Sequence, residues 1–138
     1  MMLPQLLLGL RILIADDDYF SAQELSQYLT DAGAQVCGPV PSNDEAIRWI
    51  TEDASLDGLL LKTGLRDGSH RSTLAEAERR GLPFILIDAA LGTHDDPLAR
   101  EPVLQLPLTG ARPIELMSTA FGSPRQARRK ASRSAGGC

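Results

Sequence analysis

The chain is poor in aromatic rings and cysteine, and it has no long apolar run. Aromatic residues occupy 4% of its 138 positions, too few to build a platform on which nucleic-acid bases stack, so a nucleic-acid partner is not expected. Its two cysteines, Cys37 and Cys138, provide neither metal-site spacing nor a disulfide framework. Cys37 reads as a small buried hydrophobe, and a reducing cytoplasm suits such a chain best. Nothing approaches the roughly 18 consecutive apolar residues of a membrane span. The opening MMLPQLLLGL has no cation before its leucines and no small-residue cleavage site after them, unlike a signal peptide. Residues 6–10 lead into the first strand or cover a hydrophobic edge, with a homodimer contact as the alternative. His70 and His94 stand singly in polar loops, where histidines are more often solvated than catalytic, and no Ser, His and Asp signature pairs with them. No glycine-rich nucleotide loop is present, and Gly64 and Gly68 only punctuate a loop.

Acid is absent from the last stretch. Residues 1–121 hold all 18 acids and nine bases, a net charge of −9, whereas residues 122–138 hold five bases and no acid, a net charge of +5. The tail has the composition of a disordered, solubilising extension, and its basic run can also touch nucleic acid, an acidic partner or the protein's own acidic face.

The rest is ordinary for one globular domain: 43% apolar and 23% charged residues in a length that supports one core. Arg11–Ala15 is a short aliphatic run stopped by three acids, the pattern of a buried strand. Residues 19–32 carry apolar side chains at helical spacing, and Gly33 follows where a helix ends. Residues 35–40 form a second strand, and Ser42-Asn43-Asp44-Glu45 has the form of a capping box opening a second helix. A third strand over residues 57–61, a third helix over about 70–80 and a fourth strand over 84–87 follow. Residues 89–101 are diluted by Gly92, Asp95, Asp96 and Pro97, and the two acids read as a solvated loop. A fifth strand over 103–106 and a last helix over 114–121, with Pro113 near its start, complete the pattern.

Short apolar strands alternating with helices predict a parallel sheet covered on both faces, in which a site lies beyond the carboxyl ends of the strands. The residues delivered there are Asp16 and Asp17, Lys62, Asp88 and Leu106. Three acids facing one lysine make a pocket that holds charge.

These segments resemble the receiver domain of bacterial two-component response regulators (CheY-like), over roughly residues 11–121, with residues 1–10 as an apolar extension and 122–138 as the tail. The resemblance rests on RILIADDD, DGLLLKTGLRDG, LPFILID and VLQLPL. It implies a flavodoxin-like α/β fold with a five-stranded parallel sheet in the order 2-1-3-4-5. The family's third-strand pattern is D-x-x-L-L-D-x-x-L-x-D-G, and aligning Asp57, Leu61, Leu65, Asp67 and Gly68 places Lys62 on the phosphoacceptor aspartate. Asp16 and Asp17 then match the acidic pair that holds magnesium. Asp88 falls on a Thr or Ser position, Leu106 on a lysine, and Val103 on the switch aromatic.

The departures from the family all act against phosphoryl transfer, which needs a carboxylate nucleophile, a bridging metal and donors around the phosphoryl oxygens. Lys62 cannot form an acyl phosphate, and its ammonium beside Asp16 and Asp17 leaves Mg2+ affinity weak or nil, with no other cofactor expected. The expectation is a degenerate, stand-alone pseudo-receiver, not an enzyme, that binds a histidine kinase, a phosphotransfer protein or another regulator without being phosphorylated. Inside the pocket, Lys62 neutralises Asp16, Asp17 and Asp88; the plainer alternative has it pointing into water. Two further readings are a phosphoacceptor using Asp16, Asp17 or Asp88, and a pocket for an anionic ligand or for pH sensing.

Overall fold

The computed structural model describes residues 5–88 and 102–122. Strands β1 (Arg11–Ala15), β2 (Gln35–Val40), β3 (Gly58–Lys62), β4 (Phe84–Asp88) and β5 (Val103–Gln105) form one sheet in the order β2-β1-β3-β4-β5. All its pairings are parallel. Helices α1 (Tyr19–Asp31), α2 (Asn43–Glu52), α3 (Arg71–Arg80) and α4 (Arg112–Phe121) cover it. The parallel, two-sided sheet expected from the alternation, and the flavodoxin-like order implied by the resemblance to receiver domains, are both observed.

The central strands are apolar along their length because both faces are covered. Ile12, Ile14, Leu60, Ile85, Ile87 and Leu104 pack with Leu25 and Leu29 of α1 and Ile114, Met117 and Phe121 of α4. The alternate residues Leu13, Leu59, Leu61 and Leu86 pack with Ala46 and Ile50 of α2 and Ala77 of α3. Two-residue alternation along each strand thus sorts the helices, α1 and α4 to one face and α2 and α3 to the other.

Element ends differ from the sequence reading in small ways. β3 runs one residue later than expected and includes Lys62, which pairs in register with Ile87. β5 stops at Gln105 instead of 106, just before Pro107, which lacks the N–H that continues a ladder. α4 opens at Arg112, with Pro113 inside its first turn, where a missing N–H costs nothing. Residues 89–101, with His94, Asp95 and Asp96, and the tail beyond Gly122 lie outside the described residues.

The apolar N-terminal segment covers an edge. Leu7 N donates to Ala32 O at 3.2 Å and Gly9 N to Gly33 O at 3.1 Å, which buries Leu7 and Leu10 in the α1-side core and leaves Leu6 and Leu8 exposed. The approach is close enough that a Cβ on Gly33, whose φ is +93°, would lie 3.1 Å from Leu8 Cα. At the start of β1, buried Arg11 pairs with Asp53 at 3.0 Å and its backbone N–H donates to Asp57 Oδ2 at 2.9 Å. This fastens the sheet's amino end to the segment entering β3.

Gly58 is required by packing. A Cβ there would lie 2.5 Å from Phe121 Cδ1 and 2.9 Å from Ile12 Cδ1, both in fully buried side chains. Gly58→Ala should therefore lower the unfolding free energy by about 1–3 kcal/mol through overpacking, seen as a lower denaturant midpoint at unchanged slope.

Candidate functional site

The three acids after β1 do three different jobs. Asp16 N donates to Val40 O at 2.9 Å, extending the ladder by one residue. Its side chain is buried, accepting from Ser21 Oγ at 2.6 Å and from Asp18 N at 2.9 Å. Asp18 is the N-cap of α1, its Oδ1 accepting from Phe20 N at 2.8 Å and Ser21 N at 3.0 Å, which satisfies two donors that the first turn leaves open. Asp17 turns toward β3. Lys62 Nζ donates to Asp17 Oδ1 at 2.8 Å and lies 3.9 Å from Asp16 Oδ1. The second Asp17 oxygen accepts from Arg66 N at 3.2 Å and faces Arg66 Nε at 3.7 Å.

Lys62 therefore points into the acidic pair, with its side chain 19% exposed. Among the described residues its ion-pair partners are Asp17 and Asp16. Asp88 was expected as a third; it is buried at the end of β4, one residue past the Ile87 that faces Lys62 in register.

The loop carrying Arg66 is tied down by polar contacts. Asp67 accepts from Asn43 N and Nδ2, both at 3.0 Å, and from Asp44 N at 3.2 Å, so it caps α2 from outside. Asn43 also donates to Gly68 O and accepts from Thr73 Oγ1. Ser42 Oγ accepts from Glu45 N at 3.2 Å, the first half of the expected capping box, while Glu45 reaches back to the Ser42 hydroxyl at 3.4 Å. Beyond β5, Leu106 is half-buried against the α1-side core and Val103 against the other. Leu108 N donates to Glu24 Oε2 of α1 at 2.7 Å.

The two acids of the pair are pushed in opposite directions. Burial raises the Asp16 carboxyl, and the donors Ser21 and Asp18 with the Lys62 charge offset this only in part. Burial also acts to raise Asp17, but the hydrogen bond and charge of Lys62, with Arg66, outweigh it and hold the group below its ordinary value. Burial acts to lower Lys62, and the bond to Asp17 with the charges of Asp17, Asp16 and Asp18 outweighs it, raising the ammonium above its ordinary value.

These residues do not fit a divalent cation. The ammonium stands between the two carboxylates a metal would use, and like charge in that position opposes metal entry. Among the described residues, no group of three or more His, Cys, Asp or Glu side chains is placed to hold a metal ion.

No protein-family model matches the chain, and no curated protein matches it in sequence. Solved structures do. A response regulator receiver protein from Sinorhizobium medicae is 22% identical, with a TM-score of 0.71 over 83% of this chain and 96% of that one. The receiver domain of a sensor histidine kinase from Pseudomonas aeruginosa, with magnesium in its active-site cleft, is 21% identical, with a TM-score of 0.70 over 83% and 99%. SdrG from Pseudomonas melonis, in a BeF3-activated conformation, is 26% identical, with a TM-score of 0.65 over 78% and 95%. The fold is that of a receiver domain. One of these structures thus holds magnesium in its active-site cleft; the present chain directs a lysine side chain onto an aspartate at the carboxyl edge of its sheet.

Sequence reasoning missed Arg66, whose contact with Asp17 depends on how the loop folds back and has no signature in the chain. It aligned Asp67 without its capping role, and it did not foresee Asn43, Thr73 or Glu24 as fasteners. No helix among the described residues is long and apolar enough to cross a membrane.

Lys62→Met should lower the unfolding free energy at pH 7 by about 1–3 kcal/mol, below the usual loss for a fully buried pair because Lys62 keeps some exposure. Asp17, depressed below 3.8 in the folded state, contributes stability above that value and loses it as pH falls through its folded pKa. Asp16 has the opposite sign: its ionised form costs stability at neutral pH, and protonation in acid removes the cost. Lys62, raised above 10.5, contributes below that value and loses its contribution as pH rises further. The gap between parent and variant, followed by denaturant unfolding, should therefore be widest near neutrality and narrow at both extremes.

Proposed function

We propose that the chain is an atypical response regulator of two-component signalling, a pseudo-receiver that acts by binding proteins without being phosphorylated at position 62. The observation that carries this reading is the 2.8 Å contact from Lys62 Nζ to Asp17 Oδ1. A receiver switches when a phosphoryl group and a metal bias two conformations. Here an internal ammonium stands with the acidic pair near neutral pH, so the surface formed by the carboxyl ends of the strands holds one arrangement. A histidine kinase, a phosphotransfer protein or another regulator is the class of partner, in keeping with receiver-fold neighbours that include a sensor-kinase domain and the response regulator PhyR of Brucella abortus. The chain covers 54% of that PhyR structure, so the resemblance extends to about half of its length.

Of the alternative phosphoacceptors Asp16, Asp17 and Asp88, the first two gain no support from the site. Asp17 is engaged by Lys62 and Arg66 on both oxygens, and Asp16 by Ser21 and Asp18. Neither presents a free oxygen for in-line attack beside a metal. Incubation with magnesium and a small-molecule phosphodonor, followed by intact-mass measurement, should leave the parent mass unchanged, with an aspartate-bearing receiver as the donor control and Lys62→Asp run alongside. A stable adduct on the parent would overturn the reading and direct mapping to Asp16, Asp17 and Asp88.

A further inference from the structure

A cleft lies where α2 ends and the chain turns toward β3. It has a volume of about 560 Å³ and is lined by Arg48, Trp49, Glu52, Asp53, Ala54 and Ser55, a size that suits a small molecule. Asp53 pairs with Arg11, the first residue of β1, which places the cleft at the amino end of the sheet, away from Lys62. Its floor is fixed by hydrogen bonds. Asp53 Oδ1 accepts from Ser55 N at 2.9 Å and from Ser55 Oγ at 2.6 Å, and Asp53 N donates to Trp49 O at 2.8 Å. Arg80 Nη1 donates to Ile50 O at 2.9 Å and closes the last turn of α2 from behind. Trp49 is half-buried against the α2-side core, so its indole stands as a wall.

Three groups on this frame have no partner among the described residues: the exposed Arg48 guanidinium, the exposed Glu52 carboxylate and the Trp49 indole N–H. Arg48 and Glu52 are one helical turn apart, with Cβ atoms about 5–6 Å from each other, yet in the order that favours an ion pair less. Glu52 also sits in a last turn that carries no basic residue, where an acid opposes the helix dipole. A local rule broken in this way is characteristic of a functional site. An ammonium beside Glu52 meets the carboxylate, the carbonyl end of α2 and the indole face together, and a carboxylate meets Arg48. We propose that the cleft binds a free α-amino acid with an apolar side chain, its ammonium at Glu52, its carboxylate at Arg48 and its side chain against Trp49 and Ala54. A molecule of one charge leaves Arg48 or Glu52 unanswered, and one without an apolar body leaves the indole wet. The site stands on the frame of α2 and its following turn, independently of whether the chain signals as a pseudo-receiver.

Trp49 is the single tryptophan of the chain, so its emission and its indole N–H resonance report on the cleft directly. The test titrates the full-length protein with L-leucine up to about 20 mM, above the millimolar range of weak sites. Three analogues run beside it: 3-methylbutylamine, which lacks the carboxylate, 4-methylpentanoate, which lacks the ammonium, and glycine, which lacks the apolar side chain. L-leucine should shift both signals saturably. Each analogue should bind about tenfold more weakly or not at all, the factor that loss of one such contact brings. Arg48→Gln and Glu52→Gln, both at exposed positions, should each weaken L-leucine about tenfold, and the analogue series reads the site without any variant. Absence of a saturable response to L-leucine would overturn the proposal. So would an analogue that binds as well as L-leucine, or L-leucine binding undiminished in either variant.

Discussion

The contact between the Lys62 ammonium and the Asp17 carboxylate joins the ends of two neighbouring strands, and the rest of the edge is arranged around it. β1 and β3 pair through Ala15 and Leu61, so the residues just beyond them are held side by side by the ladder. With acids alone at that place, burial and mutual repulsion would favour protonation or a bound metal. A lysine provides the opposite charge from within the chain. Because Asp16 is fully buried as a side chain, the ammonium must stay close, and it retains enough exposure to limit its own desolvation.

The surrounding hydrogen bonds tie this pair to the helices that start beside it. Asp18 starts α1, Asp67 and Ser42 start α2, and Asn43 with Thr73 joins α2 to α3. Three helix beginnings are thus tied to the loops that carry the charged residues. In a receiver the same edge must remain free to respond to a ligand, since a bound group shifts a population only by binding one state better than the other. An internal cation binds its own fold at all times and provides no such difference.

Much of this was legible in the chain. The continuous apolar runs of β1, β3 and β4 specify a two-sided parallel sheet, and the acids and lysine at their ends mark its carboxyl edge as charged. Lys62 and Asp17 were readable as neighbours because both stand at a strand end in a fold whose strand order the resemblance to receiver domains implies. Asp88 was less tractable: it follows a strand too, but its partner depends on which face of β4 it occupies, and that is set by register one residue at a time. Arg66 and Glu24 act through loop conformation, where spacing carries no period to read.

The central claim concerns one ammonium group, and the chain has only one other lysine, Lys130. The most direct measurement is an NMR titration of the two lysine Nζ groups in the full-length protein. The account predicts that Lys62 shows a slowly exchanging ammonium signal and titrates above Lys130. Coincident titration of the two, with Lys62 exchanging as fast as a solvated lysine, would contradict it.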